Sequence, residues 1–276
     1  MTDGKSRRIG SAEPDDRRHE LRRTVRTLLV FALLAVPLVQ SGAWEYSEFS
    51  FDVETRAALM ASAGPWNPYF EAKGTFHGAD AEFRYHSLLT GSYFRAAPWL
   101  KVGAFYRLEG GARHVEDWTV IDVIGPDDIQ YWEDVSGRYG HSLLLDATPR
   151  FLLPRLPGRN WLAAVKIRYA YDMTAGHHSV LFRPGITYAL MPDRDPTFSF
   201  TLSYPVYLAL NFNDFPLYGH GPYFGVLWHA REDLKVEGQF AFLMKRYEKT
   251  AFGGPWILHS RHLTAGLGLI YTPDFR

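Results

Sequence analysis

The feature that most constrains this chain is a period of two. From Phe198 to Leu210 every second residue is large and apolar: Phe198, Phe200, Leu202, Tyr204, Val206, Leu208 and Leu210. Thr197, Ser199, Thr201 and Ser203 fall between them. Successive side chains of an extended strand point to opposite faces, so such a segment carries one apolar and one polar face. The end of the chain repeats the pattern. Leu263, Ala265, Leu267, Leu269 and Tyr271 oppose His262, Thr264, Gly266 and Gly268.

The alternation recurs along most of the chain from Trp44. Phe49, Phe51 and Val53 oppose Glu48, Asp52 and Glu54. Phe70, Ala72, Gly74 and Phe76 oppose Tyr69, Glu71 and Lys73, and Phe83 and Tyr85 oppose Glu82, Arg84 and His86. Leu100, Val102, Ala104, Tyr106 and Leu108 oppose Lys101, Gly103, Phe105, Arg107 and Glu109. Leu143, Leu145, Ala147 and Phe151 oppose Asp146 and Arg150. Trp161 to Tyr171 carries Lys166 and Arg168 on its polar face, and Val180 to Leu190 carries Arg183. Leu234, Val236, Phe240 and Phe242 oppose Lys235, Glu237 and Gln239. Pro184 and Pro205 cannot donate to a ladder, so a bulge is expected at each.

The connections alternate between compact segments (155–160, 191–196, 231–233) and looser ones (174–178, 211–221, 249–255). That is the rhythm of an up-and-down antiparallel barrel. Gly110 to Arg113 reads as a turn. Counting Trp118 to Ile124 as a strand gives twelve strands; leaving it out, and moving 44–59 out of the wall, gives ten. Aromatic content of 16% with 24 glycines suits strands and tight turns. The absence of cysteine excludes disulfides, thiol catalysis and zinc–thiolate sites. Net charge is zero, which gives no reason to expect a nucleic-acid partner.

Leu28 to Val39 is an apolar run too short to cross a bilayer as a helix, which takes about 20 residues. It fits the core of a secretory signal peptide, with Ser41-Gly42-Ala43 as the small residues before cleavage. Residues 1–43 thus read as a signal peptide and 44–276 as one domain. Arg7-Arg8 stands too far ahead of the apolar run, with acids between, to act with it as a twin-arginine signal.

A soluble barrel also alternates, but with its apolar face inward. Seven alternate positions span about 40 Å at roughly 3.4 Å per residue. Tilted by about 40°, this crosses a hydrocarbon layer of roughly 25 Å. Soluble strands average only about five or six residues. The length favours a transmembrane barrel over a soluble periplasmic one. Thr264-Ala265-Gly266-Leu267-Gly268-Leu269-Ile270-Tyr271 then resembles the assembly signal of bacterial outer-membrane β-barrel proteins. Thr264, Gly266, Leu269 and Tyr271 stand at its polar, glycine, hydrophobic and aromatic positions. The family usually ends on that aromatic residue, whereas this chain continues for five more. The resemblance implies residence in the outer membrane, contact with lipid, and recognition by the outer-membrane assembly machinery. No specific family is recognised.

With the apolar face in lipid, the polar face lines the lumen. The candidates are Asp52, Glu54, Glu71, Glu82, Arg84, Lys101, Arg107, Asp146, Arg150, Lys166, Arg168, Arg183, Lys235 and Glu237. Early strands are acidic and middle strands basic, which would set a field across a pore. The other reading pairs these charges across a narrow barrel and plugs it. His86-Ser87, His141-Ser142, His178-Ser179 and His259-Ser260 are not dyads within a strand, because neighbours face opposite ways. The His-any-Ser-Asn arrangement of outer-membrane phospholipases is missing, and no phosphate loop, dinucleotide fingerprint or G-x-S-x-G elbow occurs. His177 with His178, Asn213 with Asp214, and Asp127 with Asp128 lack the spacing of metal ligands. No cofactor or metal is expected. The functional readings, in order, are a passive channel for small polar solutes, a closed structural or ligand-binding barrel, and a lipid hydrolase or protease.

Overall fold

The computed structural model describes residues 44–78, 83–114, 132–134, 139–154, 156, 160–191, 196–251 and 254–273. The expected signal peptide, the Trp118–Ile124 segment and Asp127-Asp128 lie outside them. Fourteen strands are described: β1 (Trp44–Met60), β2 (Trp66–His77), β3 (Phe83–Ala97), β4 (Leu100–His114), β5 (Trp132–Asp134), β6 (Gly140–Leu152) and β7 (Trp161–Asp172), then β8 (His177–Leu190), β9 (Phe198–Ser203), β10 (Val206–Ala209), β11 (Leu217–His220), β12 (Tyr223–His229), β13 (Leu234–Ala251) and β14 (Gly254–Tyr271). All but β5 form one closed wall, an up-and-down antiparallel barrel as the alternation requires.

The wall has eleven staves, because β9 continues as β10 and β11 as β12. That falls between the two expected counts. β1 belongs to the wall, and β4 pairs directly with β6 over Leu100–Glu109, so no stave stands between those two. Among the described residues of that segment, β5 pairs with Ala112–His114. An odd count forces a parallel closure: β1 and β14 run together from Trp44↔Trp256 to Leu59↔Tyr271. The barrel therefore starts and ends at opposite rims. The compact connections all gather at the Tyr271 rim, and the other set at the Trp44 rim. The last of that set is shorter than its sequence suggests, since β13 and β14 pair as far as Ala251↔Gly254.

Two local expectations fail. Gly110 to Arg113 continues β4 instead of turning, with Gly111 absorbing the irregularity at φ 96°. A residue with a side chain rarely adopts that conformation. No bulge forms at Pro184 or Pro205. The β7–β8 register is unbroken from Trp161↔Tyr188 to Asp172↔His177, and Pro205 interrupts its stave without shifting it. The Pro184 and Pro205 carbonyls still accept ladder bonds, from Tyr204 N–H and Gly221 N–H.

The faces follow from contacts that skip a strand. Gln239 on β13 meets Glu54 on β1, across β14. Tyr69 on β2 meets the Phe105 ring on β4 at 6.0 Å, across β3. Only the concave side of a closed wall allows this. The outer face is apolar, with Phe49 63%, Leu202 57% and Leu267 61% exposed. One strand was misassigned from sequence. Tyr85 points inward, where its hydroxyl donates to Glu109 at 2.5 Å, while Leu88 is exposed. The inside is not wholly polar either. Tyr69, Gly91, Phe105, Leu144 and Ala170 are successive cross-strand partners around one level, and Leu89, Phe105 and Leu144 are buried there. A Cβ at Gly91 would strike the Ala104 carbonyl and Phe105, so glycine there lets the ring lie flat on the wall.

Candidate functional site: the charged lumen

Two charge clusters line the lumen. The first spans the closing seam. Glu54 accepts from Lys73 at 2.9 Å and from Gln239 Nε2 at 2.6 Å. Arg56 pairs with Glu71 at 3.5 Å and with Glu237. Tyr69 donates to Glu71 at 2.5 Å, and Tyr223 to Glu237 at 3.2 Å. The sequence builds this cluster by leaving β14 bare between β13 and β1. A Cβ at Gly266 would sit 2.5 Å from Gln239 Nε2, and one at Gly268 would sit 3.3 Å from Arg56 Nε. Long side chains cross the strand where these glycines leave room.

The second cluster lies on β4, β6, β7 and β8. Arg168 grips Asp146 with two bonds, at 2.6 and 2.8 Å, and Lys166 reaches the same carboxylate at 3.1 Å. Tyr93 lies over Gly103, close to Asp146. The Lys101 ammonium sits 3.6 Å above the Tyr93 ring. Arg183 stacks on Tyr223 at 3.8 Å and donates Nε–H to Ser203 at 2.9 Å. Higher on the wall, Arg107 pairs with Glu109 at 2.8 Å.

The structure thus brings Glu54, Glu71 and Glu237 together, and Asp146 with Lys166 and Arg168. It does not join the two sets: the basic residues meet Asp146 on the next strand, not the early acids. Asp52 is buried against Ser50 and His262. Lys235, opposite His229, takes part in neither cluster, and Arg150, opposite Ala164, stands beside the second on the inward face of β6. Glu82 and the Arg84 side chain lie outside the described residues. Thr264 and Gly266 face the lumen, whereas Leu269 and Tyr271 are exposed on the outer wall. Arg56, Lys73 and Gln239 complete the seam without having been singled out. Their signal was present: each shares the parity of the candidates on its strand.

Ser260 and His262 stand two apart on β14 and so share a face. Ser260 Oγ lies 2.6 Å from His262 Nε2, and His262 Nδ1 lies 3.8 Å from Asp52 Oδ2. This is the order of an acyl-transfer relay. Yet Ser260 has 0% exposure, so no substrate carbonyl reaches its oxygen; the trio serves as a buried polar tie between β14 and β1. The adjacent pair His178-Ser179 divides between faces, with His178 stacked on Tyr171 at 4.5 Å. Among the described residues no group of three or more His, Asp or Glu is arranged to hold a metal ion. No protein-family model and no characterised protein matches the chain.

Proposed function

We propose that this chain is an outer-membrane barrel whose lumen passes small polar solutes through a charged constriction. The distribution of polarity supports the membrane. Among the described residues twenty-eight large apolar side chains are exposed, around the whole wall, while Asp146, Glu109 and Asp52 are buried within it. Water-soluble monomers rarely expose continuous apolar patches beyond a few hundred Å². Lipid removes that cost. Aromatic residues near both rims, Trp66, Trp99 and Trp228 toward one and Tyr106 and Tyr139 toward the other, suit the two interfaces. Bacterial single-chain barrels are even-numbered. The odd wall departs from that habit without changing the face argument.

The observation that carries the channel reading is partial exposure inside. Arg107, Lys73, Lys166 and Arg56 keep 32, 29, 28 and 21% of their side-chain surface accessible, although they face inward. A dry plug would leave them none. The sealed-barrel reading has its own observation: Tyr247 and Leu258 are wholly buried near the Trp44 rim, with Phe212 and Tyr218 packed close by. Planar-bilayer recording of the refolded chain separates the two. Stepwise conductance in potassium chloride is expected; a protein that inserts yet passes no current would remove the channel reading.

A further inference from the structure

We propose that the lumen binds a small multivalent oxyanion on the β4–β8 wall, between Lys101, Arg150, Lys166 and Arg183. The proposal rests on the water-filled lumen argued above and names the class of solute it favours.

Register carries the argument. Lys166 and Arg183 are direct cross-strand partners on β7 and β8. Lys101 is the partner of Thr148 on β6, and Arg150 follows Thr148 on the same face, opposite Ala164. Four cations therefore occupy neighbouring inward positions on four consecutive staves. Like charges placed directly opposite each other repel, so such a pair needs an anion. At this level of the wall, among the described residues, the carboxylate is Asp146. Its side chain has no exposed surface, and its two oxygens are shared by Arg168 and Lys166, so it balances one of these two cations and no more. The seam on the far side has the reverse balance, with Glu54, Glu71 and Glu237 against Arg56 and Lys73.

The surplus cations are oriented without being neutralised. Lys101 rests on the Tyr93 ring, and Arg183 on Tyr223. Arg183 uses Nε on Ser203, so its terminal nitrogens form the fork that matches two oxygens of a phosphate or carboxylate. Lys166 keeps 28% of its side chain open to the lumen. The whole chain has no net charge, so this concentration is a property of the site.

The test uses inorganic phosphate and the refolded full chain. Calorimetric titration in detergent micelles should show saturable phosphate binding. The double variant Lys166→Gln/Arg183→Gln should weaken it by about tenfold or more. Arg261→Gln, which removes one positive charge from the outer wall, should leave it unchanged. Lys101→Gln, scored only on protein that keeps its heat-modifiable migration, should give a smaller loss. Under a potassium chloride gradient the wild type should favour chloride, and the double variant should shift the reversal potential toward potassium. Retained phosphate binding without any current would uphold the site while removing the channel reading. Absence of saturable binding by the wild type, or equal affinity in a correctly folded double variant, would overturn the proposal.

Discussion

The seam and the opposite wall solve the problem of buried charge in different ways. Along β13, β14 and β1, three glutamates share two cations, a glutamine and two tyrosine hydroxyls, in contacts that step over Gly266 and Gly268. Each of these carboxylates has more than one donor. Along β6 and β7, two cations, Lys166 and Arg168, share the single carboxylate of Asp146. The seam also carries the parallel strand pair, the weaker form of pairing per residue. Its dense cross-strand bonds brace the point where the wall closes. The opposite wall, closed by ordinary antiparallel ladders, leaves charge unbalanced and therefore available to a solute.

This contrast can be broken at its strongest point first. Asp146→Asn leaves Lys166 and Arg168 without a carboxylate and should cost about 3–5 kcal/mol, read as a lower urea midpoint in detergent micelles. Neutralising Arg168 as well should restore part of the loss. An Asp146→Asn barrel as stable as wild type would show that the carboxylate does not hold this wall. Gly266→Leu drives a branched side chain into Gln239 and should cost about 1–3 kcal/mol, whereas Gly238→Ala, with nothing within 4 Å of the new Cβ, should be near neutral. Equal effects of the two would mean that β14 need not be bare. His262→Ala removes the tie between Ser260 and Asp52 and should cost about 1 kcal/mol. A fall well beyond that, with wild-type migration of the folded form, would give this trio a larger share in closing the barrel.

Much of this architecture is legible in the residues. The outward faces of β1, β2, β4, β6 to β10 and β12 to β14 follow from parity alone, and so does the lumen position of Gly266 and Gly268. On β3 parity points the wrong way, because Tyr85 pairs an apolar ring with a hydroxyl that fits it equally to a polar interior. Leu89, Phe105 and Leu144 show why a clean polar lumen cannot be assumed: a narrow barrel fills part of its inside with apolar side chains. The count of staves was less accessible. Parity cannot reveal that β4 pairs directly with β6, since strand partners are chosen by the closed wall and not by local pattern. The same limit hid which charges meet. Sequence identified Asp146, Lys166 and Arg168 as inward, but only the register of β6 against β7 makes them one cluster.

The central claim, an apolar face in lipid around a wet and charged lumen, is tested most directly by thiol accessibility. The chain has no cysteine, so single substitutions report without background. Thr201→Cys and Leu202→Cys are neighbours on β9, one inward and one 57% exposed on the outer wall. In lipid vesicles a small water-soluble maleimide should label Thr201→Cys and spare Leu202→Cys. Labelling of Leu202→Cys with protection of Thr201→Cys would contradict the account.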